Sequence, residues 1–189
     1  MIRTLLAALA IVPLILAAPA PAPADAQAAA GTYRIVPDST AARMTVRSFV
    51  GTIRAEMPPK GGSITLDGNG RVTGGSAVFD ATRISGPADA VKRLLSGGDG
   101  LDVQRFPEIR FVATAGRIEG GRAVLEGNLT IKGTTRQVRF DGDAVREGQR
   151  GLSARLEATI DRTAFGVTAG RPIYSRNAEL RIRLGMTRR

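Results

Sequence analysis

The sequence predicts an all-β fold, a barrel or sandwich of eight or more short antiparallel strands in a single domain that follows an export signal. Three observations carry this reading. From Tyr33 onward apolar residues recur with period two in segment after segment. Clusters of Gly, Asp, Asn and Pro separate those segments, as turns between half-buried strands require. Only one stretch carries a helical pattern, which leaves layered or closed β-structure as the natural architecture.

Residues 1–26 read as a secretory signal: Arg3 gives the positive start, residues 5–18 the apolar run, and Ala24-Asp25-Ala26 a small-residue cleavage pattern. Ala28 is an alternative point of cleavage. A membrane-spanning helix is the competing reading, but the run falls short of the roughly 20 apolar residues a bilayer needs, and Pro13 interrupts it. No Cys follows it, so there is no thiol to carry a lipoprotein-type lipid. The expectation is a periplasmic or secreted protein processed near Ala26. The Ala/Pro-rich run over residues 19–31 ends in a flexible spacer, residues 27–32, and residues 33–186 form one domain.

The chain lacks Cys although export would place it in an oxidising compartment, so apolar packing rather than disulfides must hold the fold. Its 27 basic and 17 acidic residues give a net charge of +10, which loss of Arg3 and Asp25 with the signal leaves unchanged. Such a charge attracts anionic partners. Nucleic acid is not expected: the protein is exported, contains no Trp, and spreads its basic residues along strands. Only Lys60, Lys92 and Lys132 are lysines, so a general bias in amino-acid usage accounts for much of the arginine excess. The simpler reading is a soluble cationic surface with some attraction to anionic lipid headgroups.

Taken in order, a weak strand covers residues 33–36. Ala42, Met44 and Val46 then alternate with Arg43, Thr45 and Arg47. Weak strands at residues 62–66 and 71–81 flank the hairpin loop Asp67-Gly68-Asn69-Gly70. A short helix follows, with Pro87 at its first position, Asp89 in its first turn, Val91, Leu94 and Leu95 on one side, Lys92 and Arg93 near its end, and Gly97-Gly98 as its stop. The loop after it carries Leu101, Val103 and Phe106. An apolar helix and loop inserted between strands either lies as a lid across a barrel mouth or plugs one end of the core. Next, Ile109, Phe111 and Ala113 alternate with Arg110, Val112 and Thr114, and a weak strand at residues 116–118 runs toward Val124 through the turn Gly120-Gly121. Leu125, Gly127, Leu129 and Ile131 share one face ahead of the turn Lys132-Gly133-Thr134-Thr135. Val138 and Phe140 straddle Arg139. Leu156, Ala158 and Ile160 oppose Glu157 and Thr159, and Leu180, Ile182 and Leu184 alternate with Arg181 and Arg183. A one-residue slip would turn these arginines inward, so register is well specified.

Signals for chemistry are sparse. The absence of His removes the commonest general base and metal ligand, and with no Cys a metal site would rest on carboxylates alone. Asp99-Gly100-Leu101-Asp102 falls short of a calcium loop. Asp67, Asp80, Asp141, Asp143, Glu147, Glu157 and Glu179 lie in turns or on outward faces, and neither a G-x-S-x-G elbow nor a phosphate-binding glycine loop occurs. No catalytic residue, metal or cofactor is therefore expected. Asp161-Arg162-Thr163-Ala164-Phe165-Gly166-Val167 stands apart as a charged pair at a strand end before a Phe-Gly bend. Arg162 either holds a polar headgroup or forms a salt-bridged corner in which Gly166 meets a backbone requirement.

Three motifs carry a resemblance. Phe106-Pro107-Glu108-Ile109-Arg110-Phe111 follows Asp102-Val103; Gly127-Asn128-Leu129-Thr130-Ile131-Lys132-Gly133-Thr134-Thr135 comes next; and Asp161-Arg162-Thr163-Ala164-Phe165-Gly166 closes the set. In order and spacing they resemble the YceI-like family of exported proteins, over residues 33–184. The resemblance implies an extended, lipocalin-like, eight-stranded antiparallel barrel capped at one end by the short helix and loop. Its apolar interior would hold a polyisoprenoid lipid, an isoprenoid quinone or polyprenol, for storage, transport or envelope stress response. Transient contact with an anionic membrane surface or a membrane redox protein is implied too; the oligomeric state is left open, a homodimer among the options. The chain also departs from the family pattern. Where the family commonly has an Asp and a His-Ser pair, it has Val36, Ser39 and Thr40; a further His is Ser48, and a glycine and aromatic are Ala55 and Met57, ahead of Pro58-Pro59. Headgroup recognition through those histidines is absent.

Under this resemblance the expected ligand-binding residues are Met44, Val46, Phe79, Leu94, Leu101, Phe106, Phe111, Leu129, Ile131, Phe140, Leu156 and Phe165. A ligand-free structural or stress-response barrel and a lipid-modifying enzyme are the alternatives. A solid interior would favour the first, and charged residues on inward faces the second.

Overall fold

Alternation broken by turn residues produces ten antiparallel strands in a computed structural model of the protein, which describes residues 30–87, 91, 92, 94 and 97–189. The signal sequence, most of the spacer, Asp89, Arg93 and Leu95 lie outside the described residues. The strands are β1 (Gly31–Ile35), β2 (Ala41–Ser48), β3 (Gly51–Met57), β4 (Pro59–Leu66), β5 (Val72–Asp80), β6 (Glu108–Glu119), β7 (Arg122–Ile131), β8 (Thr134–Glu147), β9 (Gly151–Asp161) and β10 (Tyr174–Arg188).

Eight of them close into a barrel in the order β1, β4, β5, β6, β7, β8, β9, β10, with β10 returning to β1 through Ile35 opposite Met186. The 15-residue β10 serves two neighbours in succession. Its last residues pair with β1, and Ala178 through Arg183 pair with β2, which carries β3 on its far side. A 3-10 turn at Pro37–Ser39 moves the chain from β1 to β2 along that edge, and the Gly185 backbone bonds to Val36 N and to Thr40 Oγ1 there. One end of the barrel, beside the turns at 67–70 and 120–121, is filled by Tyr33, Leu66, Val72, Ile118, Leu152 and Met186, all buried.

The predicted faces hold on most strands: Ile109, Phe111, Leu129, Phe140, Leu156 and Leu180 are buried, and Arg110, Arg139, Glu157 and Arg181 are exposed, whereas Thr45, expected on the outward face of β2, is buried. Three details differ from expectation. The weak strand at 116–118 is the end of β6, which passes a bulge between Ala113 and Ala115 and continues to Glu119. The β7–β8 turn is only Lys132-Gly133, at φ +50° and +73°, because a two-residue turn matching strand twist needs both residues left-handed; Thr134 and Thr135 already pair in β8. Lastly, β3 has no counterpart among the predicted strands. Its inward residues, Ile53, Ala55 and Met57, include two weak strand formers.

Val91, Lys92 and Leu94 are helical, Val91 N donates to Pro87 O at 3.0 Å, and Gly97 turns left-handed at φ +71°. Residues 88–90, 95 and 96, which adjoin the expected helix start at Pro87 and stop at Gly97-Gly98, lie outside the described residues. Among the described residues no helix is long and apolar enough to cross a membrane.

Candidate functional site

The end of the barrel opposite the filled one is hollow. A cavity with about 1120 Å3 of empty space, counting its open mouth, lies between the sheet walls and the segment after β5. Met44, Val46, Ile53, Ala55 and Met57 from β2 and β3 form one wall, and Ile109, Phe111, Leu129, Ile131 and Phe140 from β6 to β8 form another. Ile160, Leu180 and Ile182 join them through β9 and β10. Ile84, Val91, Leu94 and Leu101 border it from the cap, Val167, Ala169 and Gly170 from the β9–β10 loop, and Tyr174 from the start of β10.

Eight of the twelve residues singled out in the sequence meet at this cavity: Met44, Val46, Leu94, Leu101, Phe111, Leu129, Ile131 and Phe140. The other four do not line it. Phe79 is buried between Pro59 and Ile109 in the strand ladder, and Leu156 between Gly142 and Ile182. Phe165 is core beneath the β9–β10 corner, and Phe106 folds back over the β7–β8 turn onto Gly133, with the Arg105 guanidinium 5.4 Å from its ring centre. Alternation assigns a face but not which inward side chains reach the open space: Phe79 and Leu156 sit directly opposite Ile109 and Ile182, which do line the cavity.

The wall depends on a missing side chain. A Cβ on Gly127 would sit 2.5 Å from the Phe111 ring and 2.3 Å from Val112 O, so glycine lets that ring cross β7 and meet Phe140 edge-on at 5.4 Å. Gly127→Val is expected to displace Phe111 and cost about 1–3 kcal/mol, the usual range for overpacking, visible as a lowered melting temperature. A melt identical to the unaltered protein would contradict this packing.

The cap is tied down at three points. Asp99 O accepts from Thr168 N and Ala169 N, both at 2.8 Å, which joins the cap loop to the β9–β10 loop. Lys132 Nζ donates to Gly98 O and, at 2.8 Å, to Gly166 O, so the turn lysine bridges both loops. Leu101 N donates to Leu94 O at 2.7 Å. Val91, Leu94 and Leu101 border the cavity rather than fill it, which decides between lid and plug.

At the β9–β10 corner Arg162 is 4% exposed. Its Nε donates to Ser175 O, its Nη1 to Val167 O and Ala169 O, and its Nη2 to Tyr174 O, at 2.8 to 3.2 Å. These carbonyls span the loop that forms part of the cavity wall, so the arginine is a structural corner. The salt bridge belongs to its neighbour: Asp161 binds Arg176, and it caps the 3-10 turn Arg162–Phe165 by accepting from Thr163 N at 2.9 Å. Bonds from the Thr163 hydroxyl and then from Arg176 hold the Asp161 carboxyl down from 3.8 to about 2. A depressed carboxylate contributes stability above its unfolded value and loses it as pH falls through the folded value. Asp161→Asn is therefore expected to flatten the fall in stability between about pH 4 and pH 2. Melts across that interval check this, and an unchanged slope would contradict it.

Arg162 is the one charged residue among the described residues that line the cavity, a feature the alternation could not reveal because it sits past the end of β9. Burial pulls its pKa down, and it stays cationic through its carbonyl cage. Among the described residues no carboxylate borders the cavity to act with it as an acid–base pair, and no group of three or more acidic side chains gathers as a metal site would. The arrangement can enclose an apolar chain. Ile109, Ile160, Leu180 and Ile182 follow the same inward alternation, whereas Val167, Ala169 and Gly170 lie in a loop with no periodic signal and Tyr174 opens β10 ahead of a register shift.

The model of the YceI-like domain family matches residues 33–186. Among curated protein sequences none matches the chain. Among solved structures, BcnA of Burkholderia cenocepacia is similar with a TM-score of 0.68 at 16% identity, covering 80% of this chain and 98% of that one. A polyisoprenoid-binding domain from Saccharophagus degradans, implicated in plant cell wall breakdown, has a TM-score of 0.64 at 9% identity, covering 83% and 98%. The YceI protein of Campylobacter jejuni has a TM-score of 0.59 at 14% identity, covering 70% and 84%. At these identities the structures share the fold.

Proposed function

The chain belongs to the YceI-like family, and from that premise we propose that it is an exported carrier that holds one polyisoprenoid lipid, of the quinone or polyprenol kind, in its capped cavity. The observation that carries this is the one-ended hollow: the barrel is solid at one end and open, apolar and capped at the other. A ligand-free structural barrel has no use for such a space. The polyisoprenoid-binding neighbour from Saccharophagus degradans supports the lipid class. A binding role rather than catalysis fits a wall in which the one charge among the described residues is already held by four backbone carbonyls.

Enclosing an isoprenoid tail removes apolar area worth roughly 25 cal/mol per Å2 from water. A tail left in a bilayer is equally dry, so transfer between membrane and barrel is nearly balanced. That balance suits a carrier that must both load and release, and the pliable Met44 and Met57 side chains accept a branched chain without strict shape demands. Periplasmic or secreted location and a part in lipid transport, storage or envelope stress complete the reading.

Displacement of an environment-sensitive apolar dye tests it. A polyprenol and a long-chain isoprenoid quinone are each expected to displace the dye saturably, one lipid per chain. Failure of both to displace it, with the protein folded, would overturn the proposal.

A further inference from the structure

The tip of the β2–β3 hairpin carries two apolar side chains that the fold leaves in water, Phe49 at 80% and Val50 at 73% exposure. Both lie in the turn between Ser48 and Gly51, beyond the cavity-lining Val46 and Ile53 of the same hairpin. Register brings a third residue near them. Ser48 pairs with Tyr174, a cavity residue, and Ile173 immediately before it is 44% exposed. Nothing in the barrel needs an aromatic at that tip, and Gly, Asn or Asp would make the turn more readily.

Charge surrounds this tip. Arg47 and Arg54 stand on the outer face of the hairpin, Arg171 lies two residues before Ile173, and all three are exposed. Arg47 also pairs with Glu179 at 2.8 Å. The chain as a whole carries +10. A small convex apolar tip ringed by arginines complements a bilayer with anionic headgroups, where side chains at the headgroup boundary become dry and cations meet a negative surface. A flat or grooved protein partner would ask for a broader apolar face than one hairpin turn presents.

We propose that Phe49 and Val50, with Ile173 beside them, enter the interface of an anionic membrane and so set the mouth of the cavity against the bilayer. The tip anchors, the arginines steer, and lipid passes between two apolar phases with little exposure to water. The purpose of this docking rests on the carrier reading above, but the contact itself is measured without cargo, so either can fail alone.

The chain contains no Trp, so Phe49→Trp installs a single reporter at a solvent-exposed position. With mixed phosphatidylcholine–phosphatidylglycerol vesicles its emission is expected to shift to the blue and to be quenched by brominated acyl chains. Neutral phosphatidylcholine vesicles should give a much weaker response, each basic residue near an anionic surface being worth about fivefold in binding. In co-sedimentation the double variant Phe49→Ser, Val50→Ser should bind anionic vesicles about tenfold or more weakly for each side chain removed. Its dye displacement by soluble lipid should be unchanged, because neither residue lines the cavity. An unshifted Trp emission, or a double variant that sediments like the unaltered protein, would overturn the inference. So would Phe49-dependent self-association without vesicles, which would assign the tip to a second copy of the chain.

Discussion

Replacing Arg162 with methionine is expected to destabilise the protein by about 3–5 kcal/mol, the upper range for one substitution that leaves several buried hydrogen-bonding groups without partners. Four carbonyls, on Val167, Ala169, Tyr174 and Ser175, lose their donors at once, and an unsatisfied buried polar group costs roughly 1–3 kcal/mol. Relaxation of the loop toward water recovers part of that loss, which is why the expectation is smaller than four full penalties. In a domain of this size, each kcal/mol shifts the melting temperature by about 2–4 °C, so a fall of roughly 6–20 °C is expected. Arg162→Lys keeps the charge but presents three donors from one atom in place of a planar fork with five, and it is expected to restore less than half of the loss. Because the same corner carries Val167, Ala169 and Gly170 of the loop and Tyr174 at the start of β10 into the cavity wall, both variants should also release lipid faster. Melts and retention assays of the two variants check this; a methionine variant as stable as the starting protein would remove Arg162 from the account.

The second large effect concerns one strand and its two faces. Leu129 is 4% exposed and lines the cavity, and Asn128, its neighbour on β7, is exposed on the outside. Leu129→Glu puts a carboxyl among Phe111, Ile131 and Phe140, where an apolar tail cannot pack on it and desolvation holds it in the neutral form. Retention of isoprenoid lipid is expected to fall at least tenfold, on the scale of about 1.5–3 kcal/mol for a fully buried apolar side chain. Asn128→Glu, a residue away, should leave retention unchanged. Ile131→Glu repeats the experiment on the same inward face. Equal retention by folded forms of all three variants would place the lipid elsewhere.

Most of the fold was legible because the barrel is amphipathic strand by strand. Arginines at 110, 139, 181 and 183 mark the outward face so clearly that the inward face follows. The hairpin turns were legible wherever two adjacent residues tolerate left-handed backbone, as at Gly120-Gly121. β3 was not, since Ala55 and Met57 give a weak strand signal and their pairing with Met44 and Ala42 is a property of the assembled sheet. The site was legible to the extent that it is made of strands. Phe111, Leu129, Ile131 and Phe140 could be read from alternation, but Phe79 and Leu156 obey the same alternation and are buried without lining the cavity, although they pair with the lining residues Ile109 and Ile182. Which inward side chains reach the open space depends on packing in the assembled sheet, which a single sequence does not display. The loop wall and the Arg162 cage are aperiodic, and only the Asp-Arg-x-x-Phe-Gly sequence hinted that a corner was being built.

Native mass spectrometry of the full-length gene product, gently purified from the cell and then extracted with solvent, tests the central claim most directly. A carrier of the proposed kind should leave the cell with one isoprenoid lipid per chain, lost from Leu129→Glu and kept by Asn128→Glu. A protein that emerges empty, and that still takes up neither isoprenoid quinone nor polyprenol when they are supplied, would contradict the account and leave the capped hollow as a feature of a structural barrel.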